Sequence, residues 1–252
     1  MVLRMHVCGR ITIVGDRGSV DEHDLPGRQG RLALARLCLE QGRPVSSERL
    51  TDCLWGDVPP RDAAGALASV VSKLRASLRR VEENEGASIL AGAGTYELRL
   101  PADSSVDLQD ARNSIDRAEG ARRRDDVRAA WASATVAVSI GRRGFLPSEH
   151  GLWARTVAAE VERLTLRGYD CLTWVWTVRG DGVMATAMAQ QAIVLAPLHE
   201  PAWRALMIAQ AEFGSRADGL RTYRRCRDTL STELGVSPDP ATVLLYERLL
   251  SQ

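Results

Sequence analysis

The sequence lacks a surplus of charge of one sign. Its 33 Lys and Arg residues face 32 Asp and Glu residues, so the formal net charge is only +1 at pH 7. A strongly basic chain, the usual footprint of a nucleic-acid-binding protein, is therefore excluded, and any contact with DNA must depend on local charge. Lysine is almost missing as well, because Lys73 is the only one in the chain.

Paired cysteines and long apolar runs are also lacking. The five cysteines lie far apart and form no C-x-x-C motif, which argues against a zinc finger or a thioredoxin-like site and favours reduced thiols. No uncharged run approaches the roughly 20 residues that span a bilayer. The N-terminus shows no signal-peptide pattern. We therefore expect a soluble, cytoplasmic protein that contacts no membrane.

Motifs of catalysis and of cofactor binding are absent from the sequence. The four histidines are scattered and show no H-E-x-x-H spacing. No G-x-S-x-G, Walker A or dinucleotide-binding pattern occurs. Gly92 and Gly94 belong to a predicted hairpin tip and do not join a strand to a helix, so no phosphate cradle is indicated. We expect no enzymatic activity, no metal site and no cofactor.

The first hundred residues combine strand and helix signals. Residues 3–14 alternate in polarity and are rich in Val and Ile, which predicts strands. Amphipathic helices are predicted at 28–41, 47–55 and 63–83. Two short strands follow at 88–90 and 96–100, joined by a glycine-rich loop. This order predicts a winged helix, in which the third helix lies in the major groove of DNA.

From residue 106 onward only helix signals occur. Amphipathic stretches are predicted at about 107–119, 124–139, 149–179, 182–196, 199–213, 216–234 and 239–251. A weak repeat of 34 residues relates Tyr169 to Trp203, and Trp203-x-x-Leu206 matches the opening of a tetratricopeptide (TPR) pattern. Helix pairs of this kind bury their apolar faces by stacking on one another.

We therefore predict a mostly α protein with two domains. The first is an N-terminal winged helix at residues 1–101, with three helices and β-hairpins. The second is an all-α, TPR-like helical-repeat domain at residues 106–252. The short polar segment 101–105 is the predicted boundary between them.

Several motifs, in this order, resemble the SARP (antibiotic regulatory protein) family of actinobacterial transcription activators. Residues 50–60 (LTDCLWGDVPP) resemble the second helix and following loop of its winged helix. Residues 67–78 (LASVVSKLRASL) resemble its recognition helix, and 94–98 (GTYEL) its wing strand with one inserted Thr. Residues 217–227 and 233–240 resemble the end of the family's bacterial transcriptional activation domain.

The resemblance implies a sequence-specific DNA-binding transcription regulator with no catalytic activity. It implies an activator that binds direct repeats in double-stranded promoter DNA and recruits RNA polymerase holoenzyme through its sigma factor and core subunits. It also implies a homodimer, at least on DNA, with dimer contacts in the helical domain. Such a protein is cytoplasmic and associates with the nucleoid when it is bound to DNA.

The resemblance also implies which residues contact DNA. The candidates are Trp55, Ser69, Ser72, Lys73, Arg75, Arg79, Arg80 and Thr95. Lys73 would face base edges or phosphates, and the indole N–H of Trp55 would reach a phosphate. Direct readout of guanine by Arg or Lys is worth about 1–3 kcal/mol per bidentate pair. With a single long cation among the base-reading positions, one copy should bind weakly, and copies on adjacent repeats would compensate.

Two other interpretations remain open. The basic residues of the third helix could be an ordinary solvated face, which would make the protein a helical-repeat scaffold with a degenerate DNA-binding domain. Alternatively, the helical domain could hold a small molecule in a groove between helices, although no convergent polar set identifies one. A salt series distinguishes the DNA-binding interpretation from the scaffold interpretation, because phosphate contacts make the affinity for DNA fall steeply as the salt concentration rises.

Overall fold

The computed structural model describes residues 3–81 and 86–251. It divides into two compact units by contact density. Unit 1 comprises Met1–Ala111 and Ile140–Val161, and unit 2 comprises Arg112–Ser139 and Glu162–Gln252. The mostly α fold class is confirmed. The division into domains at residues 1–101 and 106–252 stays a prediction.

All strands of the described residues lie in unit 1. They are β1 (Arg4–His6), β2 (Thr12–Gly15), β3 (Gly18–Val20), β4 (Val45–Ser46), β5 (Ser88–Gly92), β6 (Thr95–Arg99) and β7 (Ser105–Val106). One sheet has the order β3-β2-β1-β7, in which only the β1–β7 pair is parallel. The other is antiparallel with the order β4-β6-β5.

The helices follow the predicted order closely. They are α1 (Gly27–Leu39), α2 (Ser47–Trp55), α3 (Ala63–Val81), α4 (Asp107–Arg123), α5 (Val127–Gly141), α6 (Leu152–Val178), α7 (Gly182–Leu195), α8 (Glu200–Phe213), α9 (Arg216–Leu234) and α10 (Pro240–Ser251). Residues 82 and 83, which end the predicted third helix, lie outside the described residues. No helix in the described ranges has the length and apolar character needed to cross a bilayer.

Among the boundaries that differ from the sequence prediction, three have a clear physical reason. Residues 43–45 lie between two predicted helices and were not predicted to form a strand, yet Val45 pairs with Tyr96 as part of β4. Residue 105 was expected to belong to a polar break, yet it pairs with Arg4 as part of β7. The predicted helix at 124–139 begins later, because the side chain of Asp126 accepts the amide N–H of Ala129 at 3.0 Å and caps α5.

The core of unit 1 packs the helices against both sheets. The side chains of Leu34, Leu50, Leu54 and Leu74 are 0–1% exposed. They come from α1, α2 and α3, whose apolar positions recur with the helical period. Each fully buried leucine contributes about 1.5–3 kcal/mol of transfer free energy. This shared core fixes the helix-turn-helix segment in place.

In unit 2, α7 packs on α8, α8 on α9 and α9 on α10, so consecutive helices are neighbours as in TPR-like repeats. Met207 of α8, Tyr223 of α9 and Leu249 of α10 form one buried cluster. Gly219 allows α9 to approach α8 closely, because an added Cβ would lie 3.0 Å from the carbonyl oxygen of Met207. The predicted helical-repeat character is confirmed by this packing.

Candidate nucleic-acid interface

Helices α2 and α3 are separated by residues 56–62, and each has a side-chain cap at its N-terminus. The hydroxyl of Ser46 accepts the Arg49 amide N–H at 3.2 Å and caps the start of α2. Asp62 accepts the Gly65 amide N–H at 2.8 Å at the start of α3. Gly56 ends α2 with a positive φ of 58°, which glycine adopts without strain. These caps define where the recognition helix begins.

The outward face of α3 carries most of the predicted DNA-contact residues. Leu67, Val71, Leu74 and Leu78 point into the core. The opposite side exposes Ser69, Ser72, Lys73, Ala76, Arg79 and Arg80. Because helical side chains three and four positions apart are neighbours, these six residues form one continuous strip, called here the α3 face.

Within the part of the chain that the structure describes, the charges on the α3 face are mostly unpaired. Lys73 and Arg79 form no ion pair with any residue in the ranges 3–81 and 86–251. Arg80 lies 3.4 Å from the carboxylate of Asp24, but both groups are largely exposed. Exposed ion pairs of this kind contribute about 0–1 kcal/mol, so a phosphate group competes readily for Arg80. The α3 face is therefore a cationic surface in a nearly neutral chain.

Arg75 is placed differently from the other basic residues. Its Nε donates a hydrogen bond of 2.8 Å to the carbonyl oxygen of Ile89 in β5, and its side chain is half-buried. The family resemblance implies that Arg75 contacts DNA. In the structure its guanidinium ties α3 to the hairpin, and this role has no signal in the sequence because the two residues belong to different elements.

The hairpin β5–β6 forms the wing. Its two-residue tip, Ala93-Gly94, has φ values of 49° and 73°, which is the backbone of a type I′ turn. The Gly94 carbonyl accepts both the backbone N–H of Ser47 at 2.8 Å and its hydroxyl at 2.9 Å. The wing tip is thereby fastened to the first residue of α2. Sequence reasoning did not identify Ser47 in this role.

Thr95 and Trp55 lie on elements that flank the α3 face. The Thr95 hydroxyl donates to the carbonyl of Gly92 at 2.7 Å, so it serves the hairpin itself. Trp55 ends α2 and is half-buried. Its indole N–H has no acceptor among the described residues. Of the two side chains, only Trp55 therefore has a hydrogen-bond donor without an acceptor among the described residues.

Reactive and metal-binding groups are not assembled beside this surface. Burial raises the pKa of the Cys53 thiol in α2 to about 12, so the thiol stays protonated at neutral pH. Burial also raises the pKa of the Cys38 thiol in α1. No cluster of three or more His, Cys, Asp or Glu residues suited to a metal ion occurs within the described ranges.

A winged helix with a cationic recognition helix, followed by stacked helix pairs, defines a class of transcription regulators. Residues 106–250 match the family model of the bacterial transcriptional activator domain. The chain belongs to this family, and its relatives confirm the resemblance to the SARP regulators.

Two curated relatives and one solved structure give the extent of the similarity. Regulatory protein AfsR of Streptomyces coelicolor is 30% identical over 224 residues, or 88% of this chain and 22% of AfsR. Transcriptional regulator RedD of the same species is 28% identical over 250 residues, or 97% of this chain and 71% of RedD. Mycobacterium tuberculosis EmbR in complex with a low-affinity phosphopeptide matches with a TM-score of 0.88 and 25% identity, over 99% of this chain and 65% of that one. The chain thus spans less than two thirds of AfsR and of the EmbR chain.

Proposed function

We propose that the protein is a sequence-specific DNA-binding transcription regulator that activates promoters, with residues 1–101 as the DNA-binding domain. The observation that carries the proposal is the α3 face, where Lys73 and Arg79 are exposed and find no ion pair among the described residues. A helix of this kind enters the major groove with its exposed residues toward the base edges.

Individual roles follow from the positions of the side chains. Lys73 meets a base edge or a phosphate, and Ser69 and Ser72 add short hydrogen-bonding groups beside it. Arg79, with Arg80, contacts the phosphate backbone. Arg75 supports the wing with its Nε, and its terminal nitrogens remain for a phosphate. Trp55 donates its indole N–H to a phosphate, and Thr95 contacts DNA through the wing.

A single copy of this surface gives modest affinity, so we propose that copies bind together on direct repeats. Two linked binding events raise the overall affinity without any new contact. The relatives named as transcriptional regulators support a role at promoters. We propose that residues 106–252 carry the homodimer contacts and the contacts with RNA polymerase holoenzyme, and that the protein works in the cytoplasm, on the nucleoid.

The test is selection of genomic DNA fragments by the purified chain at low salt. We expect enrichment of fragments that contain a direct repeat, and loss of enrichment with Lys73→Ala plus Arg79→Ala. Arg224→Ala, at an exposed arginine of α9, is the matched control and should enrich the same fragments. If the folded wild-type chain enriches no sequence, DNA recognition is wrong and the scaffold interpretation replaces it.

A further inference from the structure

A cavity of about 780 Å³ opens within unit 1 at the end of α2. Its walls come from three segments: α1, α2 with the loop after it (Arg49 and residues 52–57), and residues 151–155 at the start of α6. The volume lies in the range of about 300–1,000 Å³ that is typical of small-molecule sites. None of the roles described above uses this space, apart from Trp55 at its edge.

Four arginines line the cavity: Arg28, Arg36, Arg49 and Arg155. The buried carboxylate of Glu149 lies 2.8 Å from the Nε of Arg28, and Glu40 lies 3.3 Å from Arg36. Arg49 is 3.9 Å from Glu40, beyond hydrogen-bonding distance, and is 61% exposed. Since each guanidinium has five N–H donors, most of the donors at this wall have no acceptor from the described part of the chain.

Arg36 is the deepest of these cations. Its side chain is 11% exposed, and its buried Nε–H has no hydrogen-bond acceptor among the described residues. A buried donor without an acceptor costs free energy, which a bound oxyanion recovers. Asp52 and Asp57 also line the cavity, but both are exposed, whereas Arg36 is nearly buried.

Two half-buried indoles complete the wall. The rings of Trp153 and Phe145 meet edge to face, with their centroids 5.5 Å apart. The Arg36 guanidinium lies over the Trp153 ring, 5.2 Å from its centroid. Trp55 lines the same cavity from the end of α2. Indole faces take flat apolar groups by offset stacking or edge contact. The cavity therefore combines oxyanion donors with surfaces for a planar body.

From this arrangement we infer that the cavity is a binding site for a small organic anion, in which a carboxylate or a phosphate is attached to a flat apolar body. The oxyanion pairs with Arg36 and with Arg49 or Arg155, and the flat body lies against Trp55 and Trp153. Binding at this site does not depend on the proposed function. An effect on DNA affinity through Trp55 does rest on it.

The test uses the full chain and three probes: benzoate, phenyl phosphate and the neutral benzamide. We expect either anion, in ¹H–¹⁵N spectra, to shift the Arg36 Nε–H signal and the indole signals of Trp55 and Trp153 in a saturable manner. The tighter anion identifies the oxyanion class. The indole of Trp203 is the internal reference, because it donates to the Pro197 carbonyl at 2.7 Å in unit 2. Its signal should not move.

Exposed variants keep the test independent of folding. Arg49→Met plus Arg155→Met should weaken the tighter anion about tenfold, or about 1.4 kcal/mol. Arg61→Met, at an exposed arginine outside the cavity, should leave the affinity unchanged. Three results overturn the site: no saturable shift with either anion, equal shifts with benzamide, or an affinity that the double variant does not change.

Discussion

Helices α3 and α9 are both 19 residues long and both rich in basic residues, yet their basic side chains differ in how many partners they have. Helix α9 has five arginines and three acidic residues, whereas α3 has no acidic residue. On α9, Arg221 pairs with Asp218, Arg227 lies 3.0 Å from Asp228, and Arg225 lies over the Trp203 ring. On α3, Lys73 and Arg79 have no such partner within the described residues.

The comparison shows that the number of basic residues on a helix does not identify a DNA-binding surface. A carboxylate on the same helix competes with phosphate for the guanidinium, and an aromatic ring beneath it fixes its position. The α3 face has fewer cations, but they are available to a polyanion. In a chain of net charge +1, α3 has no carboxylate of its own, and this leaves its cations available to form a cationic surface.

The largest expected effect separates the two helices by salt dependence. Lys73→Ala plus Arg79→Ala should lower the affinity for duplex DNA by about 10–100-fold and reduce the slope of log K against log salt by about 2, about 0.9 per lost phosphate contact. Arg221→Ala plus Arg224→Ala on α9 should change neither quantity. Fluorescence anisotropy over a salt series measures both. Equal losses in the two double variants would contradict the comparison.

A second variant separates a supporting arginine from a contacting one on α3 itself. Arg75→Met removes the hydrogen bond to the Ile89 carbonyl, and we expect the free energy of unfolding to fall by about 1–2 kcal/mol. Arg79→Met, at the exposed position, should change it by less than about 0.5 kcal/mol. Urea unfolding followed by circular dichroism compares the two. A stable Arg75→Met variant would show that the tie to the wing has no energetic weight.

A smaller effect is expected at the wing tip. Ser47→Ala removes one of the two hydrogen bonds to the Gly94 carbonyl, and since the backbone bond remains, the loss should be about 0.5–1 kcal/mol. Ser69→Ala removes a hydroxyl of the α3 face and should leave stability unchanged. Hydrogen exchange at the Ser47 amide tests whether the tip loosens. If hydrogen exchange and stability are both unchanged, the Ser47 hydroxyl does not hold the wing tip against α2.

The sequence predicted the helices well because their signals are local. The bounds of α2 agree with the prediction, since the Ser46 cap and the spacing of Leu50 and Leu54 lie within the helix or next to it. The strands β4 and β7 were missed because each is two residues long and exists only through a distant partner. Ser105, for example, pairs with Arg4 about 100 positions earlier.

The candidate site, like the fold, was predictable only where the signal is local in sequence. The helical period places Ser69, Ser72 and Lys73 on an exposed side, and the structure brings them together there. The period does not reveal that Arg75 donates to Ile89. It does not reveal either that residues 151–155 complete a cavity beside Trp55, because these segments are about 100 positions apart.

The smallest expected effect lies in unit 2, where Arg167 is hydrogen-bonded to two carboxylates. Arg167 donates to both carboxylate oxygens of Glu119, at 2.7 and 2.8 Å, and to Asp116 at 3.1 Å. The hydrogen bond from Arg167 lowers the pKa of Glu119 below its ordinary value of 4.5, against an opposing effect of burial. Because the folded-state pKa is lowered, the resulting stability is present above the ordinary value and is lost as the pH falls through the folded-state pKa.

Arg167→Met should therefore raise the pKa of Glu119 and flatten the loss of stability below pH 4.5. Both side chains are partly exposed, so solvent screening limits the change in unfolding free energy to less than about 0.5 kcal/mol. Carboxyl ¹³C titration of Glu119 measures the shift. Arg163→Met, at an exposed position of the same helix, is the control and should leave the pKa unchanged. If Glu119 titrates alike in both variants, Arg167 does not set its pKa. A carboxylate partner would then affect an arginine less than the comparison of α3 with α9 implies.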